Sequence, residues 1–115
     1  MSRYETGLRG EAAAERYLLQ LGMRCITRRY RACGGELDLV MADGDTLVFV
    51  EVKARPGARA GAGLLAVTPA KRRRLLAAAQ HYLVTSGQTD SSCRFDVIEL
   101  TADGLRYVPD AFQAG

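Results

Sequence analysis

Along residues 7–21, GLRGEAAAERYLLQL, helix-favouring residues dominate, and Glu11, Ala14, Glu15 and Leu18 recur at spacings of three and four. That pattern predicts a helix with these four on one stripe, stopped by Gly22. The stripe mixes carboxylates with apolar side chains, which a plain core face does not do. Beyond it the period shifts from helical to alternating. Residues 23–30 (MRCITRRY), 36–42 (ELDLVMA), 46–54 (TLVFVEVKA) and 93–100 (CRFDVIEL) read as strands. Ala32-Cys33-Gly34-Gly35 and Asp43-Gly44-Asp45 read as the turns between the first three. In the third strand Val48, Val50 and Val52 share one face, and Leu47, Phe49, Glu51 and Lys53 share the other. Residues 56–63 (PGARAGAG) have no apolar anchor and are expected to form a mobile loop. A second helix follows, with Thr68 as N-cap, Pro69 as its first residue and an end near Thr85. Its buried stripe is Leu75, Leu76, Ala79, Tyr82 and Leu83. Asp103-Gly104 turns the chain into a short final strand, Leu105 to Val108. The order α-β-β-β-α-β, closed by that short strand, predicts an α/β fold with a mixed central sheet flanked by helices. One domain spans residues 1–115.

Composition narrows the class. With 48% apolar and 25% charged residues in 115, the chain is ordinary for a globular domain and unlike a disordered or collagen-like one. No apolar run approaches the ~18 residues of a membrane span. The start, Met1-Ser2-Arg3-Tyr4, lacks the apolar core of a secretion signal, so a cytoplasmic protein without membrane attachment is expected. Cys25, Cys33 and Cys93 are odd in number and never in CxxC spacing. Reduced, buried or half-buried thiols are expected, and with the lone His81 they are too few for a zinc site.

Charge is unevenly spread. Residues 1–35 and 55–74 carry net +4 and +6, while 36–54 and 75–115 carry −4 and −3. An acidic block between basic ones suits a protein that holds phosphates together with a cation, although basic faces are often merely solvated.

The acidic block also carries the candidate chemistry. Glu36 and Asp38 are two apart on one strand, and Glu51 and Lys53 two apart on the next, so each pair shares a face. The tight turn between the strands makes them neighbours. Charges inside so apolar a strand are disfavoured unless paired or bound to a metal. Paired carboxylates suit a hard divalent cation, and Lys53 could orient or deprotonate a water or steady phosphorane charge. The plain alternative is a salt bridge from Lys53 to Glu51 or Asp38.

These residues resemble the YraN family of small bacterial proteins, within the PD-(D/E)xK nuclease superfamily. The matching stretches are Gly10 to Ala14, Gly35 to Val40, Val48 to Arg55, Ala66-Val67 with Lys71 and Arg74-Leu75, Arg94 to Ile98, and Ala111-Phe112. They run through nearly the whole chain in order. The resemblance implies a restriction-endonuclease-like core close to archaeal Holliday-junction resolvases. It implies a catalytic set of Asp38, Glu51 and Lys53. Asp38 and Glu51 would bind Mg²⁺ or Mn²⁺, with Glu11 joining the metal cluster directly or through water. Leu37 stands where the superfamily usually has Pro. The activity implied is metal-dependent hydrolysis of phosphodiester bonds in branched or structured DNA. Junction resolvases act as dimers, so a homodimer is compatible with the likeness.

Basic residues complete the expectation. Lys71, Arg72, Arg73 and Arg74 stand in the first turn of the second helix, where cations oppose the helix dipole and a bound phosphate would reverse that cost. Arg28, Arg29 and Arg31 could track a DNA backbone from the first strand, and Arg55 could hold a phosphate or pair with Asp43 or Asp45. For each group a solvated face is the plain alternative. Tyr30 could stack on a base but is expected to pack in the core or at the sheet edge, and His81 to be structural or on the surface. Two other functions stay open: a nucleic-acid-binding module that does not cut or needs a partner, and a small protein-interaction domain.

Overall fold

The structure is a computed structural model that describes residues 2–57 and 67–112. Most of the 56–63 segment expected to be a loop lies outside them. A helix, α1 (Arg3–Gln20), is followed by strands β1 (Arg24–Ala32), β2 (Gly35–Asp43) and β3 (Thr46–Arg55). A second helix, α2 (Pro69–Thr85), crosses to β4 (Cys93–Thr101), which turns back into β5 (Gly104–Phe112). The five strands lie in sequence order in one sheet. Only β3 and β4 are parallel; the other neighbours are antiparallel. This mixed sheet between α1 and α2 is the expected α/β fold with a restriction-endonuclease-like core.

Two boundaries differ from expectation. α1 begins four residues early because Ser2 caps it: its Oγ accepts from the Glu5 N–H at 3.1 Å and donates to the Glu5 carboxylate. The Ser2-x-x-Glu5 spacing is that of a capping box. The final strand is as long as the others because β5 pairs with β4 from Thr101↔Gly104 to Phe95↔Phe112, passing Pro109 and Asp110 at an irregularity between Phe95 and Val97.

The sheet separates two apolar layers. On one face α2 packs Leu75, Ala78, Ala79 and Tyr82 onto Leu37, Val40, Phe49, Phe95 and Phe112. On the other, α1 packs Ala14 and Leu18 onto Leu39, Met41, Val48, Val50 and Ile98. Burial of this kind stabilises by about 25 cal/mol per Å² of apolar surface. Two glycines set how closely the layers approach. A Cβ on Gly10 would lie 2.6 Å from the Ala54 Cβ, so its absence seats α1 against the end of β3. A Cβ on Gly35 would lie 2.3 Å from the Arg74 carbonyl oxygen, so the β1–β2 turn rests directly on the first turns of α2.

The thiols differ from expectation. Cys25 is half-buried, but Cys33 and Cys93 are exposed, and all three are free. Cys33 sits at the turn tip with φ 53°, and Cys93 is the first residue of β4, so neither reaches the core. Tyr30 packs beside Tyr82 at the sheet edge, and the exposed His81 meets its hydroxyl through Nδ1 at 2.5 Å.

Candidate functional site

The strict alternation expected along β2 slips at Asp38. Leu37 belongs to the α2-side core, but Leu39, two residues on, belongs to the α1-side core. The partner register of β2 and β3 runs from Asp43↔Thr46 only as far as Leu39↔Val50. Beyond it the strands part, and Asp38 Oδ2 accepts the Val52 N–H at 2.7 Å, where a ladder carbonyl would otherwise stand. Across β1 from this point, Arg29 takes φ 49° between the pairs Arg28↔Leu39 and Tyr30↔Leu37. Lys71 of α2 reaches this place.

Four charged groups meet there. Glu51 is 5% exposed, and its Oε1 lies 3.2 Å from Lys53 Nζ and 2.8 Å from Lys71 Nζ. Asp38, Glu51 and Lys71 line an open groove of about 250 Å³ together with Gly35, Glu36 and Arg74. Burial, and then the neighbouring Glu51 charge, push the Asp38 carboxyl up to about 8 against the lowering effect of the Val52 N–H. Glu11 and Glu36 add to the rise. Burial and the adjacent Lys71 lower Lys53 from the ordinary lysine range. Lys71 is also desolvated, but its contacts with Glu51 and Lys53 outweigh this and leave it raised.

Glu11 lies near enough to act on Asp38, but its carboxylate meets Arg29 Nε at 2.9 Å. Among the described residues, no three His, Cys, Asp or Glu side chains converge as a metal cluster. The donor set still fits a hard divalent cation. Two carboxyl groups are crowded in a desolvated place, one of them driven toward its protonated form, and a cation between them would relieve both effects.

The basic residues of β1 pair with carboxylates at the surface. Arg28 forks onto Glu15 with contacts of 2.5 and 2.7 Å, Arg29 holds Glu11, and Arg31 meets Glu36 at 3.3 Å. On α2, the Arg72 Nε donates to the Val67 carbonyl and its guanidinium lies 5.1 Å from the Phe112 ring centroid. Arg74 lines the groove, Arg73 is exposed next to it on α2, and Arg55 is exposed at the end of β3. Asp43, one expected partner of Arg55, instead accepts from Arg94. Lys71, read from its position as a phosphate contact, stands inside the acidic cluster.

A second polar cluster escaped sequence reading. Asp96, fully buried on β4, accepts from Arg94 Nε, from the Tyr107 hydroxyl and from the Asp110 N–H. Burial and the Asp96 carboxylate push Tyr107 up to about 12. With every donor facing a partner, this cluster acts as a structural lock between β4 and β5.

The slipped β2 strand, the acid and lysine on β3 and the flanking helices define an α/β protein of the restriction-endonuclease-like class. The chain belongs to the uncharacterised protein family UPF0102, whose sequence profile matches residues 10–100. It is 46% identical over 107 residues to a UPF0102 protein of Methylobacillus flagellatus, covering 90% of this chain and 93% of that one. It is 45% identical over 114 residues to one of Cupriavidus taiwanensis, covering 98% and 86%. A UPF0102 protein of Geobacter sulfurreducens is 46% identical over 112 residues, covering 93% and 88%. No helix among the described residues is long and apolar enough to cross a membrane.

Proposed function

We propose that this protein is a divalent-metal-dependent DNA endonuclease that hydrolyses phosphodiester bonds in branched or structured DNA. One observation carries the reading: Asp38 and Glu51 line one groove, and Lys53 reaches the same Glu51 oxygen. Asp38 and Glu51 would hold Mg²⁺ or Mn²⁺. Bound there, the cation supplies positive charge against the scissile phosphate and acidifies water beside it. Lys53, with its affinity for protons lowered by burial, is suited to take the proton of the attacking water at Nζ. Glu51 keeps Lys53 oriented, and the Val52 N–H fixes the Asp38 carboxylate. Arg74, which lines the groove, and the exposed Arg73 next to it on α2 would steady the DNA backbone.

The test is a cleavage assay on four-way junction, flap, single-stranded and duplex DNA with Mg²⁺, Mn²⁺ or EDTA. Metal-dependent cuts that Lys53→Ala abolishes support the reading. Cleavage that survives both Lys53→Ala and Asp38→Ala sinks it.

The tied-down acids favour a second reading. Glu11 is held by Arg29, and Glu51 by two ammonium groups. A self-neutralised cluster suits a nucleic-acid-binding module that does not cut. That module would bind DNA with steep salt dependence and show no Mn²⁺ site by calorimetry.

A further inference from the structure

Glu51 receives two ammonium groups on one oxygen, and they arrive from different elements. Lys53 stands on β3, two residues beyond Glu51, where its strand pairs with β4 at Lys53↔Glu99. Lys71 stands in the first turn of α2 and reaches Glu51 from across the groove, its side chain 26% exposed against 17% for Lys53. The closer contact, 2.8 Å against 3.2 Å, is therefore made by the more exposed lysine.

We propose that Lys71 is a built-in competitor for the divalent cation at Glu51, displaced when a DNA phosphate reaches the start of α2. The proposal rests on the reading of Asp38 and Glu51 as a metal site. A divalent cation bound by Glu51 needs the carboxylate that Lys71 occupies. Two positive charges at such separation in a half-buried groove repel strongly, so one must move. Lys53 is held by the central strand. Lys71 has a flexible four-carbon stem rooted at a helix start, where the dipole and the exposed Arg73 and Arg74 favour an incoming anion. A backbone phosphate there offers the Lys71 ammonium a second partner and frees Glu51. Metal and DNA then bind cooperatively, and by linkage each raises the affinity of the other by the same factor. The site stays weak for metal until substrate is present.

The test is calorimetric titration with Mn²⁺ of the wild type, Lys71→Met, Lys71→Gln and Asp38→Asn without DNA, with thermal melts to confirm folding. Both Lys71 variants should bind Mn²⁺ more tightly than the wild type, by roughly ten- to hundredfold. In a Lys53→Ala background, which prevents cleavage, four-way junction DNA should tighten Mn²⁺ binding, and adding Lys71→Met should remove that gain. Unchanged or weaker Mn²⁺ binding in both Lys71 variants overturns the competitor role. The metal-site reading survives that result if Asp38→Asn still abolishes binding. Absence of Mn²⁺ binding from all four proteins overturns the metal site and the proposal together.

Discussion

Asp38 Oδ2 accepts the Val52 main-chain N–H at 2.7 Å, so a carboxylate replaces the next rung of the β2–β3 ladder. This contact fixes the acid at the point where the strands part and leaves it in desolvated surroundings beside Glu51. The same arrangement makes the acid costly to the fold.

Asp38→Asn is expected to stabilise the protein above neutral pH. The folded carboxyl titrates at about 8, far above its ordinary 3.8. Between those values the folded state keeps a proton that the unfolded chain has released, so stability falls as pH rises through this window. Asparagine can accept the Val52 N–H without that loss. Thermal melts should show the variant more stable at pH 8, by on the order of 5 kcal/mol, with the difference vanishing near pH 4. Added Mn²⁺ should raise the melting temperature of the wild type and leave the variant unmoved. A variant no more stable at pH 8 would contradict this account of Asp38.

Lys53→Ala should lower DNA cleavage by at least about 100-fold while leaving the circular dichroism spectrum and melting temperature near those of the wild type. The lysine is only partly buried, and Lys71 still neutralises Glu51 after its removal. A loss of activity that merely tracks unfolding would remove Lys53 from the chemistry.

Gly10→Ala should destabilise the protein although alanine is the better helix former. The new Cβ meets the Ala54 Cβ at 2.6 Å, and relief requires α1 to lift from β3. The overpacking cost of about 1–3 kcal/mol exceeds the roughly 1 kcal/mol gained in helix propensity. Pairing it with Ala54→Gly should recover part of the loss in denaturant titrations. No recovery would mean that the clash is not the cause.

Asp96→Ala should cost about 1–3 kcal/mol, because it removes the acceptor of the Tyr107 hydroxyl and the Asp110 N–H, while Arg94 keeps Asp43. Asp96→Asn should cost less, since its carbonyl can still accept from Tyr107 or the Asp110 N–H. Chemical denaturation of both variants checks the order, and equal losses would argue against the network as described.

Much of the architecture is legible in the chain because its strands are short alternating runs separated by glycine turns. Glu51 and Lys53 stand out as charges in the most apolar strand. The slip at Asp38 is hidden because no residue pattern shows where β2 stops pairing with β3. The pairing of Arg28 and Arg29 depends on Glu15 and Glu11 across the α1–β1 packing, which spacing does not reveal. Lys71 sits in a basic run and so reads as a phosphate contact, whereas its first partner is Glu51. The length of β5 is concealed by Pro109, which ends a strand on propensity, while pairing with β4 carries the strand past it.

The single parallel pair in the sheet orders the assembly of the molecule in time. β1 to β3 form from neighbouring segments, as do β4 and β5, and such local contacts close quickly. Joining β3 to β4 must wait for the long crossover through α2, whose loop-closure entropy opposes it. Asp38, Glu51 and Lys53 lie within the first local unit, whereas Lys71 arrives with the crossover. The groove therefore gains its fourth charged member at the slow step of folding, and pulsed hydrogen exchange should find the β2–β3 amides protected before those of α2.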